Sequence, residues 1–121
     1  MTTCKISWID GHGNPTPDDH PAYAYAICFA GPEPKAFPIC AEHFDRRPQQ
    51  GWMFLRCAET TPEQLAAKLA EVAVVLKAIE NAFRDHGEIV TTLRYHPSDN
   101  FYSFVRWGQF VGVEADGYIH T

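Results

Sequence analysis

The run from Pro62 to about His86 constrains this chain more than any other segment, because it is marked as a helix at both ends. It opens Thr61-Pro62-Glu63-Gln64. A capping hydroxyl, a proline at the first helical position and a glutamine placed to complete a capping box satisfy amide groups that a helix start leaves orphaned. At the other end Arg84 and His86 oppose the negative end of the dipole, with Asp85 between them working against it. Gly87 can take the left-handed cap conformation. A helix over 62–86 is about 37 Å long at ~1.5 Å per residue, roughly the width of a domain of 121 residues, so it has to cross a whole sheet.

Leu65, Leu69, Val72, Leu76, Ile79 and Phe83 recur at alternating steps of four and three and form one apolar stripe. The repeat is too short for a coiled coil, and packing against a sheet is the expectation. The opposite side carries Ala67, Val74 and Ala78 with Ala70 beside them, a seam of small residues around one β-branched side chain. Alanine fills solvent positions for its helix propensity, but Val74 has no such reason to be there. The seam is therefore a candidate contact with a second copy of the helix across a two-fold axis.

Strands occupy the rest. Cys4 to Ile9 alternates weakly, and Asp10 to Pro21 is dense in Gly, Pro, Asn and Asp and reads as a loop. Ala22 to Ala30 alternates strictly: Tyr23, Tyr25, Ile27 and Phe29 point one way, Ala24, Ala26, Cys28 and Ala30 the other. Gly31-Pro32-Glu33-Pro34 is a turn, so Ala36 to Cys40 folds back as an antiparallel partner. Ala41 to Arg47 suits a short helical turn ended by Pro48. Trp52 to Ala58, Glu88 to His96, Phe101 to Trp107 and Gln109 to Glu114 read as further strands. The expected fold is α+β: one domain over 1–121 with a mainly antiparallel sheet of five to seven strands and the long helix across one face. The alanine side of the second strand suits a close approach by that helix. Tyr23, Tyr25 and Phe29 then form an apolar patch on the other side, a rival interface.

Composition narrows the function classes. A net charge of −5, with Arg46-Arg47 the densest basic spot, disfavours nucleic acid and anionic membranes as partners. No apolar stretch approaches the ~20 residues of a membrane span and no signal peptide opens the chain, so a soluble cytoplasmic protein is expected. Cys4, Cys28, Cys40 and Cys57 are widely spaced and read as reduced thiols.

No Walker, Rossmann, nucleophile-elbow or metalloprotease pattern is present, and no cofactor is expected. Cys40-Ala41-Glu42-His43 places a thiol and an imidazole on one face of a helical turn, which is half of a zinc site or the start of a thiol enzyme. Cys28 and Cys57 complete a zinc site only if the fold brings them near, and flanking Phe37, Ile39 and Phe44 suggest an inert, packed thiol. Asp10, His12, Asn14, Asp18, Asp19 and His20 gather ligand atoms in one loop without the spacing of a calcium site; His12 or His20 is a general-base candidate. Tyr23, Tyr25, Tyr102 and Phe104 lack the basic signature of an RNA platform and suit a core or interface. The sequence reading is a homo-oligomeric binding domain, a dimer with a small-molecule or protein partner. The second reading is a small hydrolase or thiol enzyme using the Asp10–His20 loop or Cys40 and His43.

Overall fold

The computed structural model describes residues 8–9, 15–16, 21–31 and 33–120. In chain order the elements are β1 (Trp8–Ile9), β2 (Pro15–Thr16), β3 (Ala24–Cys28), β4 (Ala36–Ile39), α1 (Ala41–Asp45), β5 (Trp52–Arg56), a 3-10 turn (Cys57–Glu59), α2 (Pro62–Ala82), α3 (His86–Thr92), β6 (Arg94–His96), β7 (Phe101–Arg106), β8 (Gln109–Glu114) and β9 (Ile119–His120). The fold is α+β and its strand pairs are antiparallel. The expected strands divide between a three-stranded sheet, β4-β3-β5, and a four-stranded meander, β6-β7-β8-β9, while β1 pairs with β2 alone. Asp10, His12, Asn14, Asp18, Asp19 and His20, and the first part of the expected Cys4–Ile9 strand, lie outside the described residues.

The two larger sheets meet at Gly51. Its N–H donates to the Leu93 carbonyl (2.8 Å) and its carbonyl accepts from Phe29 N–H (3.0 Å). Gly51 has φ 81°, and a Cβ there would stand 2.9 Å from the Thr91 carbonyl oxygen, so both the backbone angle and the space call for glycine.

The start of α2 is as the sequence indicates. Thr61 Oγ1 accepts from Gln64 N–H (3.2 Å) and Gln64 Oε1 accepts from Thr61 N–H (2.8 Å), a cap that contributes about 1 kcal/mol. Its end is not. The helix stops at Ala82 rather than His86, because Phe83 turns extended (φ −131°, ψ 135°) and packs edge-on against Phe104, with ring centroids 5.5 Å apart. Two residues later the Asp85 carboxylate accepts from Arg106 Nε (3.1 and 3.0 Å), with the Arg106 terminal nitrogen 3.0 Å from Asp85 Oδ1. These contacts hold the chain out of the helix, and Gly87 lies inside α3 instead of capping α2.

The strand expected over Glu88–His96 is a helix for most of its length. Ile89, Val90 and Leu93 fall on one face of α3 and are buried, while Thr91 and Thr92 donate their hydroxyls back to the carbonyls of Glu88 (2.7 Å) and Ile89 (3.0 Å). Only Arg94–His96 remains as strand.

In the main core α2 buries Val72, Val75 and Ile79 against Ile27, Phe29 and Met53 of one sheet and Tyr102, Phe104, Val111 and Val113 of the other. Leu65, Leu69, Leu76 and Phe83 of the expected stripe flank this centre, partly buried. The helix therefore covers the large-residue face of β3, not the alanine face. Ala24 and Ala26 instead make room for a second cluster of Ile39, Cys40, Phe44, Trp52 and Phe54 beneath α1. Small residues here accommodate rings rather than the long helix.

Candidate functional site

The residues expected at an interface are dispersed by this packing. Phe29 is 1% exposed and belongs to the main core, so the aromatic side of β3 offers no open patch. Tyr25 is half-buried, and Tyr23 packs edge-on against Phe44 at 5.1 Å with the Arg56 guanidinium 4.9 Å above its ring. On α2, Ala67 and Ala70 are exposed, but the β8–β9 turn sits on the other half of the seam. A Cβ on Gly117 would lie 3.3 Å from both Val74 Cγ1 and Ala78 Cβ. Val74 nevertheless remains 48% exposed, so the turn narrows the seam at Val74 and Ala78 and leaves it open toward Ala67 and Ala70. Tyr102 and Phe104 are buried.

A polar network that the sequence reading missed ties α2 to the meander. Lys68 Nζ donates to Glu71 Oε2 (2.9 Å), Asn100 Oδ1 (2.7 Å) and Tyr95 OH (3.2 Å), using its three protons. Tyr95 OH donates to Asn100 Oδ1 (2.8 Å), Asn100 Nδ2 to Glu71 Oε1 (3.1 Å) and Tyr102 OH to Glu71 Oε2 (2.7 Å). Asn100 reaches this position from the left-handed region, φ 50°, where asparagine is tolerated. Burial opposes the charge on Glu71, yet the bonds from Tyr102, Lys68 and Asn100 outweigh it and hold the carboxyl below its usual pKa. Burial likewise opposes the charge on Lys68, and its bonds to Glu71 and Tyr95 outweigh it in the other direction. Burial and the Glu71 carboxylate together push the Tyr102 hydroxyl far up. Both oxygens of Glu71 and all protons of Lys68 are bonded within the cluster, which clamps α2 to the meander. Lys68 and Glu71, three apart on a helix, were the one visible signal.

The face of the meander turned away from α2 carries Arg94, His96, Phe101, Ser103, Val105, Phe110, Gly112, Glu114 and His120 in register, with the Tyr118 ring edge-on to His120 at 4.8 Å. At one end Val105 and Phe110 face each other across the ladder, 64% and 66% exposed, beside Trp107 at 83%. Trp107 and Gly108 form the two-residue turn with φ 54° and 76°, a conformation that costs an L residue roughly 1–2 kcal/mol. Further along, His96 Nε2 lies 2.6 Å from Ser103 Oγ, and Phe101 stands between the His96 and His120 rings at 6.3 and 6.1 Å. The Phe101 ring lies over Gly112, where a Cβ would approach its Cζ to 2.2 Å. Ser103 is 3% exposed, and no carboxylate hydrogen-bonds to the His96 ring among the described residues, so the pair lacks both access and the third member of a triad.

Cys40 and His43 do come together, with Sγ 3.1 Å from Nδ1. Cys40 is 2% exposed. His43 borders a cavity of about 200 Å³ walled by Ile39, Trp52 and Phe54 with Arg46 and Arg47 at its edge. Among the described residues no group of three His, Cys, Asp or Glu side chains is placed to hold a metal ion, and Cys28 and Cys57 do not join Cys40 and His43 in one. Burial raises the Cys57 thiol pKa, outweighing a hydrogen bond with Tyr25. Among the described residues no helix is long and apolar enough to cross a membrane. Comparison with protein-family models, with curated proteins and with solved structures gives no match, so the functional reading rests on geometry.

Proposed function

We propose that this chain is a single-domain binding protein of the cytoplasm that self-associates, and that the outer face of the meander is its contact surface. The observation that carries the reading is the run of exposed apolar side chains at the β7–β8 tip: Val105, Trp107 and Phe110. An exposed tryptophan in a strained turn is held there against both hydration and backbone preference, as expected of a residue kept for contact. With ~200 Å² for each large ring, Trp107, Phe110 and Tyr118 expose roughly 400 Å², about half of one side of a standard interface before Val105 and the polar rim are added. Among the described residues the Lys68–Glu71 network and the His96–Ser103 pair are bonded internally, which favours binding over catalysis there.

Light scattering should show a dimer that Phe110→Glu converts to folded monomers with circular dichroism unchanged. Trp107→Asn should also weaken the dimer while stabilising the monomer by about 0.5–1 kcal/mol, because asparagine suits φ 54°. A Phe110→Glu variant that remains dimeric rejects this face and returns attention to the open half of the α2 seam at Ala67 and Ala70.

The contact between Cys40 and His43 favours a second reading, a thiol enzyme. That reading requires Cys40 to react with iodoacetamide at pH 7 in the folded protein faster than Cys28 or Cys57. The binding reading expects the reverse order, since Cys28 and Cys57 are partly exposed and Cys40 is buried. Peptide mapping of the labelled thiols separates the two.

A further inference from the structure

The edges of the three-stranded sheet are treated differently. In the β3–β5 ladder Phe29 N–H donates to the Gly51 carbonyl and Cys57 N–H to the Tyr23 carbonyl (2.9 Å), with Ile27 opposite Met53 and Tyr25 opposite Leu55 between them. Antiparallel alternation therefore turns the main-chain groups of Met53 and Leu55 toward β3 and those of Trp52, Phe54 and Arg56 toward the outer edge. Among the described residues no strand pairs with that edge. The opposite edge, β4, is blunted: Pro38 lies across from Tyr25, whose groups are committed to β5, so the missing N–H falls on the outside. The far edge of the meander, β9, is two residues long. β5 has five residues, Trp-Met-Phe-Leu-Arg, with no proline or lysine to guard it.

That edge borders a groove of about 510 Å³, closed on its other side by Tyr95 and Pro97. The groove begins where Gly51 and Leu93 are bonded, from which β5 and β6 depart without forming a ladder. Trp52 and Phe54 stack beside it at 6.2 Å and 21°. Arg47 is held at its border by stacking on Phe44 (3.9 Å) and by donating to the Phe44 carbonyl (2.9 Å). Arg56, exposed and 3.7 Å from the Glu59 carboxylate, is the second guanidinium at the groove, so its lining carries two such groups and one carboxylate in a chain whose net charge is −5.

We infer that the outer edge of β5 takes an extended peptide bearing acidic side chains, which adds as a strand along Trp52–Arg56. Its backbone pairs with the outward groups of Trp52, Phe54 and Arg56. Every second side chain is a carboxylate on the face shared by Trp52, Phe54 and Arg56, where it meets Arg47 and Arg56, and the side chains between turn to the Met53 and Leu55 face. A second copy is the weaker occupant, since pairing β5 edge to edge brings the same guanidinium groups, Arg47 and Arg56, against each other. The site is separate from the outer face of the meander, so it stands or falls independently of self-association there.

The test uses the full chain and three heptapeptides that alternate valine with glutamate, lysine or serine, followed by amide exchange. The glutamate peptide should bind saturably, at least tenfold tighter than the lysine one, and protect the amides of Trp52, Phe54 and Arg56. Methylating the alternate peptide nitrogens that would face β5 should abolish binding. Arg56 already has φ −68°, which proline can adopt, and its N–H faces the open edge. Arg56→Pro should therefore weaken binding at least tenfold with circular dichroism unchanged, and Arg56→Gln, which keeps the N–H, by less. Equal binding of the methylated peptide overturns the proposal, as does failure of all three peptides to protect these amides. Protection that rises with protein concentration and no peptide assigns the edge to a second copy instead.

Discussion

Glu71→Leu should lower the unfolding free energy by about 3 kcal/mol, and Glu71→Gln by about 2 kcal/mol, when measured by denaturant titration at pH 7. Glu71 accepts from Tyr102, Lys68 and Asn100, and its removal leaves a buried hydroxyl without its acceptor and a largely buried ammonium without its counter-ion. Glutamine keeps one acceptor but turns an amide toward a cation, so it restores only part of the loss. The pH dependence carries the same signature. Folding holds the Glu71 carboxyl below its unfolded pKa, so its contribution is complete above roughly pH 4.3 and disappears as pH falls through the folded value. Lys68 and Tyr102 are raised, so their contributions are complete below roughly pH 10 and are lost as pH rises further. Glu71→Gln should flatten the acid limb of the stability profile relative to the parent. Parallel acid limbs in the two proteins would mean that the carboxylate is not coupled to folding.

Gly51→Ala should lower the unfolding free energy by about 3 kcal/mol. Part is the left-handed backbone at φ 81°, and part is the approach of the new Cβ to the Thr91 carbonyl oxygen at 2.9 Å, a backbone atom that cannot rotate away. Gly108→Ala is the matched control, since Gly108 also has positive φ but nothing within 4 Å of its Cβ position. The difference between the two variants isolates the steric part. If both cost the same, the junction of the two sheets is looser than the Gly51–Leu93 bond implies.

The parts of this fold that were legible in the sequence are those whose causes are local. Thr61 and Gln64 cap one another within three residues, and the opening of α2 follows from them alone. The other end of the same helix depends on Phe104 and Arg106, some twenty residues downstream, and no pattern around Phe83 and Asp85 announces them. Ile89-Val90-Thr91-Thr92 is rich in β-branched residues and reads as strand, yet burial of Ile89, Val90 and Leu93 on one helical face overrides that preference. The strict alternation around β3 showed two faces but not which layer each would meet, because both are covered. The candidate surfaces were hidden for a related reason. Tyr95, Asn100 and Tyr102 join Lys68 only through the meander, and Trp107-Gly108 does not resemble the Asn-Gly or Asp-Gly pairs that mark a two-residue hairpin turn.

The meander also bears on how the chain reaches its native state. In β6-β7-β8-β9 every strand pairs with its sequence neighbour, and the strands follow directly on α2 and α3, which pack on them. Such contacts close short loops and cost little chain entropy before they are rewarded. The carboxy-terminal half is thus a unit of low contact order that can assemble as a nucleus. The sheet β4-β3-β5 shares its apolar face with that unit, since Ile27, Phe29 and Met53 lie in one cluster with α2 and the meander. Substitutions in the meander core, such as Val113→Ala, are therefore expected to slow folding, whereas Met53→Ala in β5 should mainly speed unfolding, which stopped-flow measurement checks.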